Sequence, residues 1–526
     1  MARFNTRSSG PRGTSRVTST GRTLRTYEGG RGTERDARSE LFLLSIANFV
    51  AQQTFYEDGT ARDDRFAQLV HRLAVEDPEW TAGLLAWLRG EGNLRTAALV
   101  GAAEYVKARL DAGATEGPSN RQVIASVLRR PDEPGELLGY WTATYGRAVP
   151  KPVKRGVADA VRRLYHGKSL LKYDTSSKGY RFGDILNLVH AAPDPDKPWQ
   201  GDLFQYALDR RHNPDTAVPP DSVPVLAAHR ALMEIPVAER RAVVTAPDGP
   251  ERLAAAGITW EALAGWLQGP MDKAAWEAVI PSMSAMALTR NLRNFDEAGV
   301  SDDVAQQVAA KISDPAEVAR SRQFPFRYLA AYQHAPSLRW AYPLERALGH
   351  SLANVPALPG RTLVLVDRSG SMWGRLSERS ELNRADAAAI FGAALAMRAE
   401  SAELVQFGTT SSSVTCRAGE SVLKVLERFG NLGGTDTTAA VRRFYRGHDR
   451  VLIVTDEQYT YSRHGDPTEQ VPADVPVYTW NLAGYRAGHG ESGKPNRHTF
   501  GGLSDAAFRM VPLLEQGRDA DWPWVA

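Results

Sequence analysis

Cysteine is almost missing from this chain: Cys416 is the one such residue among 526. A lone thiol closes no intramolecular disulfide and builds no cysteine-based zinc site. That fits a reducing, cytoplasmic setting. Long apolar runs are missing too. No stretch of about 18 apolar residues occurs, so no membrane span is expected. The first residues carry no apolar segment of signal-peptide length. Charge of one sign is also not in excess. Lys and Arg number 64 against 61 Asp and Glu, a net charge of +3. The chain as a whole is no polycation, and any nucleic-acid site has to come from local clustering.

What is present is the composition of a large globular protein, 43% hydrophobic with 12 Trp. A chain of this length exceeds one ordinary core, so two to four domains are expected. Residues 1–38 hold nine Arg (3, 7, 12, 16, 22, 25, 31, 35, 38) against Glu28, Glu34 and Asp36. Low hydrophobicity predicts a basic, disordered arm, ordered only on RNA or by docking across the protein. From 39 to 352 apolar residues recur at three- and four-residue spacing, as in "RFAQLVHRLAVEDPEWTAGLLAWLRG", between short Gly, Pro or Asp breaks. Successive helix pairs stacked as an irregular HEAT-like repeat follow from that pattern. Residues 353–360, "ANVPALPG", read as a linker.

Beyond the linker the period changes. "RTLVLVD" (361–367), "AELVQF" (402–407), "RVLIVTD" (450–456) and "VPVYTWNL" (475–482) are buried-strand runs. Helical stretches over 384–399, 421–429 and 437–445 separate them. Strands alternating with helices predict a doubly wound parallel sheet over 361–526. The fold class is therefore mainly α with an attached α/β domain.

In such a sheet, ligands sit beyond the carboxyl ends of the strands. Asp367 and Asp456 lie at two such ends. Asp367, Ser369 and Ser371 ("DRSGS") put a carboxylate and two hydroxyls at alternate positions, and Thr435 sits in the glycine-flexed loop "NLGGTDTT". All five offer hard oxygen, the donor set for Mg²⁺ or a similar divalent cation. The plain alternative is a strand-end Asp capping a turn. A haloacid-type phosphotransfer site would need a second Asp at position 369, where this chain has Ser. The ordered set resembles the metal-ion-dependent adhesion site of von Willebrand A domains. That resemblance implies that water or a partner's carboxylate completes the metal sphere.

A second concentration of chemistry lies at 147–181, with ten Lys or Arg against Asp159 and Asp174. Arg155, Arg162, Arg163 and Lys168 fall on or near one predicted helix, and Lys172 and Lys178 flank the next loop. Phosphate neutralisation by such a cluster gives salt-sensitive affinity. Tyr165, Tyr173, Tyr180 and Phe182 are interleaved and could stack on bases. A solvated helix face with core tyrosines is the competing reading.

A helical repeat joined to a von Willebrand A domain resembles the Ro autoantigen family, whose helical part is the TROVE module. The likeness rests on "VKRGVADAVRRLYHGKSLLKY", "GYRFGDILNLVH", "MSAMALTRNLRNF", "FPFRYLAAY" and "TLVLVDRSGSM". It implies a helical ring closed by the A domain, monomeric in protein terms, that performs no chemistry. Its implied partners are small Y-type noncoding RNAs on the outer basic surface and the 3′ ends of misfolded RNAs in the cavity. The likeness to bacterial members implies an exoribonuclease partner such as polynucleotide phosphorylase. Carried over residue by residue, it points to Arg155, Lys172 and His190, with Lys178 close to a further basic position. Phe182 stands where animal members carry histidine, an exchange that would add a stacking surface. Arg290 and Arg293 of "ALTRNLRNF" either line the cavity or buttress a helix pair. Two other functions stay open: a Mg²⁺-dependent protein-interaction scaffold with incidental RNA binding, and a Mg²⁺ phosphohydrolase.

Overall fold

The computed structural model describes residues 14–47, 53–335, 337–353, 355–375, 383–417, 420–502, 508, 510–515 and 521–525. The chain forms two compact units. One contains residues 74–321 and 334–343, the other residues 1–73, 322–333 and 344–526.

The first unit is helical throughout its described residues. Each helix packs mainly on near neighbours in sequence: Pro78–Gly90 on Arg95–Asp111, Asn120–Val127 on Lys151–Leu164, and Phe182–Val189 on Pro198–His212. Local capping explains where helices begin. Ser119 and Gln122 form a reciprocal capping box at the Asn120–Val127 helix, and Ser284 caps Ala285–Glu297. Each satisfies backbone donors that the helix cannot. Near the end of this unit Trp276, Phe295 and Trp340 pack edge to face. Asp296 ties them by accepting from Trp340 Nε1 at 2.9 Å and from Arg339 Nε at 2.8 Å.

The second unit contains nine described strands. In chain order they are β1 (Ser19–Arg25), β2 (Arg31–Arg35), β3 (Leu358–Asp367), β4 (Ala399–Phe407), β5 (Ser411–Ser413), β6 (Arg450–Thr455), β7 (Val477–Asn481), β8 (Ala487–Gly488) and β9 (Arg497–Gly501). Six of them form the main sheet, in the order β5-β4-β3-β6-β7-β9. All its pairings are parallel except β4 with β5. The apolar run of β3 and all of β6 are buried because helices cover both faces, which is why they read as continuous apolar stretches. One face packs Val405, Phe407 and Ile453 against Val441. On the other, Phe391 of the Arg384–Arg398 helix meets Trp480 and Phe508. The four expected strands are present, and β5 and β9 extend the sheet beyond them.

Two expectations need correction. Residues 14–38 take the expected form docked on the protein rather than the disordered one, and residues 1–13 of that expectation lie outside the described residues. Strands β1 and β2 form an antiparallel hairpin, and β2 continues onto β8. That pairing partner lies near the other end of the chain, so no local composition could announce it. The boundaries also shift. The Ala37–Ala47 helix belongs with the sheet rather than with the helical repeat, and β3 starts at Leu358, inside the expected linker.

Candidate functional site

The central strand β3 has β4 on one side and β6 on the other. The chain thus reverses its winding there, and the carboxyl ends of β3 and β6 open a crevice. Asp367 ends β3, Asp456 directly follows β6, and both are fully buried. Ser369, Ser371 and Thr435 are buried beside them. The loop after β3 is zipped to the 430–435 loop by backbone bonds: Gly370 N to Gly433 O at 2.5 Å and Leu432 N to Arg368 O at 2.9 Å. Gly433 serves this crossing with φ +75, and a Cβ there would lie 2.9 Å from Thr409 Oγ1. Arg368, buried between the loops, donates to Gly430 O and Ala385 O and lies over the Trp373 ring. These bonds bring the loop that carries Thr435 against the loop that carries the serines.

Within the site Ser369 N donates to Asp367 Oδ1 at 2.9 Å and Thr455 Oγ1 to Asp367 Oδ2 at 2.5 Å. The Ser369 and Ser371 hydroxyls are 3.3 Å apart. Asp456 Oδ1 accepts from Gln458 N at 3.0 Å, whereas Asp456 Oδ2 is buried and finds no hydrogen-bond partner among the described residues. Burial raises the pKa of both carboxyls, and the charge of Asp456 raises that of Asp367 further. The Ser371 hydroxyl, then the Gln458 amide and the buried Arg384 guanidinium, act the other way on Asp456. An orphaned carboxylate oxygen is costly in a dry site. Two carboxylates, one with that orphaned oxygen, and three hydroxyls fit a hard divalent cation, whose charge would reverse the unfavourable electrostatics.

The hairpin of β1 and β2 reaches this site. Thr26 Oγ1 donates to Tyr459 O at 2.8 Å, and Tyr27 N to Gln458 Oε1 at 2.9 Å. Gly30 N donates to Tyr459 O at 3.2 Å. Only glycine fits there, since a Cβ would lie 2.6 Å from Tyr459 O. Tyr27 stacks on Tyr56 with ring centroids 4.9 Å apart, and both meet Tyr485 edge to face. Sequence reading missed this cluster, and Thr455, Arg368 and Arg384 as well. Thr455 and Arg368 each adjoin a residue already singled out; the hairpin gave no comparable signal.

In the helical unit the expected cations take different places. Arg155 and Arg162, seven residues apart, share one face of the Lys151–Leu164 helix. Arg155, Lys168 and Lys172 are exposed and have neither an ion pair nor a hydrogen bond among the described residues. Lys172 lies over the Tyr173 ring at 5.2 Å. The two acids of the segment are engaged internally: Asp159 pairs with Arg121 at 2.6 Å, and Asp174 with Arg181 at 2.9 Å. Arg163 is committed elsewhere, donating to Ala125 O and Leu128 O at 3.1 and 2.5 Å. Arg162 faces Asp194 at 3.9 Å and Lys178 faces Glu136 at 4.0 Å. Lys178, Tyr173 and Tyr180 line a cavity of about 220 Å³. His190 ends the Phe182–Val189 helix in the left-handed region, φ 52, and is exposed. Arg290 is exposed, Arg293 pairs with Glu297 at 2.7 Å, and Asn291 is buried against Ala287 O. Phe182 is not a free stacking surface. It is 2% exposed and stacks on buried Tyr165 at 3.7 Å, because the helix turns positions 182, 185, 186 and 189 inward.

Comparison with known proteins adds three findings. The family model described as TROVE domain matches residues 258–339, which include Arg290 and Arg293. No curated protein sequence matches the chain. The solved structure of the Deinococcus radiodurans Ro (RSR) protein is similar with a TM-score of 0.59 at 18% identity, over 92% of this chain and 100% of that one. A TROVE-domain match within the helices and the fold of a bacterial Ro protein together support the resemblance to the Ro family drawn from the sequence.

Proposed function

We propose that this protein binds structured RNA through cations of its helical unit and carries out no chemical step on it. One observation carries the reading: Arg155, Lys168 and Lys172 stand exposed and uncompensated while the neighbouring acids Asp159 and Asp174 are taken up by internal ion pairs. Free cations on two successive helices suit the phosphates of a folded RNA, which is recognised largely by shape. The TROVE match supports the same reading. The Ro-family resemblance supports small Y-type noncoding RNAs and the 3′ ends of misfolded RNAs as the ligands within this proposal. It supports, as a further part of the proposal, an adaptor role for an exoribonuclease such as polynucleotide phosphorylase. Filter binding of a small structured RNA at two salt concentrations tests the core of this. Binding should weaken as salt rises and fall sharply in Arg155→Glu/Lys172→Glu. Unchanged binding in that variant removes the assignment. Crosslinking in the native cell, followed by sequencing of the bound RNA, tests the narrower ligand classes.

The orphaned Asp456 Oδ2 favours a second activity alongside the first: Mg²⁺ or a similar cation held by Asp367, Ser369, Ser371, Thr435 and Asp456, serving attachment rather than catalysis. When bound, the ion would supply a Lewis-acidic point for an oxygen ligand. Isothermal titration with Mg²⁺ against Asp456→Asn tests it, and heat without saturation, or equal binding in both proteins, counts against it.

A further inference from the structure

Octahedral Mg²⁺ takes six oxygens and tends to keep water, so the five side chains, giving one oxygen each, leave one position over. A carboxylate from this same chain is joined to the edge of the site by a tyrosine. Glu28 sits at the tip of the β1–β2 hairpin and accepts from the Tyr56 hydroxyl at 2.5 Å. That hydroxyl also lies beside the Ser371 side chain and in the field of Asp456. The tip is held in place on both flanks. Gly29 bridges to Thr460, whose N–H donates to Thr435 O at 2.8 Å. The Tyr27–Tyr56 stack, with Tyr485 against its edge, fixes the angle of the Tyr56 ring.

We propose that the hairpin is an intramolecular plug for the cation site: Glu28, held by the Tyr56 hydroxyl, acts from the outer shell and covers the approach an external carboxylate would need. The inference rests on the cation reading above and changes its consequence. A site open to solvent would recruit any acidic partner, whereas a plugged one engages a partner only if the hairpin tip gives way. The plug is local, since Glu28 itself is exposed and is held by the Tyr56 hydroxyl. The rest of the hairpin stays anchored by Thr26 and Arg35. The tip can therefore lift while the body of the hairpin keeps its bonds.

The test uses the full-length protein and Mn²⁺, with free ion read by electron paramagnetic resonance. The plug predicts saturable binding in the wild type that weakens about tenfold in Glu28→Gln, the usual scale for removing an outer-shell partner. Tyr56→Phe, which keeps the stack but removes the link, should weaken binding in the same direction. Glu34→Gln, a carboxylate of the same hairpin paired to Arg486, should leave affinity unchanged. Acetate should tighten Mn²⁺ binding in Glu28→Gln and have no effect in the wild type. Equal affinities in wild type and Glu28→Gln, or equal acetate effects, overturn the plug and leave the cation site standing. Absence of Mn²⁺ binding in the wild type overturns both.

Discussion

The Arg35 guanidinium reaches both carboxylate oxygens of Glu457, at 2.7 and 3.0 Å, and each side chain is 1% exposed. Glu457 is the residue after Asp456 and has φ 64, a conformation that L-residues adopt only when their surroundings hold them there. Asn481 Nδ2 donates to the same carboxylate. The pair therefore pins the end of β2 and the backbone of the proposed cation site at once. Arg35→Ala leaves a buried carboxylate without its counter-charge, and should destabilise this unit by about 3–5 kcal/mol in a denaturant titration. Replacing both partners with apolar residues should recover much of that stability. A cost under about 1 kcal/mol for Arg35→Ala would show that the hairpin does not depend on this pair.

Asp456→Asn separates the electrostatics of the cation-free protein from those of the cation-bound one. Without metal the two buried carboxyls are penalised, so removing one charge should raise the melting temperature measured in chelator. With Mg²⁺ at about 100 times its dissociation constant, the wild type should gain about 2.7 kcal/mol and the variant nothing. Identical Mg²⁺ responses in the two proteins would detach Asp456 from the ion.

The proposed cation site was readable because its parts are local. Asp367 and Asp456 end apolar runs that can only be buried strands, and Thr435 follows two glycines before a helix. Its cover was not readable. β1, "STGRTLR", is mostly exposed and its sheet depends on a two-residue strand at Ala487–Gly488. Polar hairpins of that kind acquire their structure from the surface they dock on, and composition reports only their polarity. The basic segment was readable as charge but not as division of labour. Nothing in "VRRLYHGK" tells that Arg163 caps carbonyls of the Asn120–Val127 helix and its end while Lys168 stays unpaired, since the deciding neighbours of Arg163 lie some 35 residues upstream.

That division of labour makes a prediction for RNA. Reversing Arg155 or Lys172 should lower the salt dependence of binding, by about 0.7–0.9 in the log–log slope for each phosphate no longer neutralised, with melting unchanged. Arg163→Ala should do the opposite: lower stability by about 1–3 kcal/mol through unsatisfied carbonyls and leave the slope intact. Filter binding across a salt series, paired with thermal melting, reads both. A slope change in Arg163→Ala alone would invert the assignment.

His498, on β9, sets a pH limit on the sheet unit. It is 4% exposed, lies against the Tyr478 ring and shares a hydrogen bond of 3.1 Å with Ser15 Oγ. Burial, and then the charge of Arg497, push its pKa down to about 4. The unfolded imidazole keeps its ordinary value near about 6.5. Between those two values the unfolded chain holds a proton that the folded chain lacks, so acid favours unfolding. The contribution of neutral His498 is fully present above about pH 6.5 and is lost as pH falls toward about 4, on the order of 3 kcal/mol in all. Asp367 and Asp456, with raised values, bias stability the other way, so the slope of one protein alone does not isolate the histidine. The difference does: His498→Phe keeps an aromatic ring beside Tyr478 and should show a flatter fall of unfolding free energy between about pH 6.5 and 4 than the wild type. Parallel curves would mean that the ring is already protonated in the folded sheet, or is not buried there.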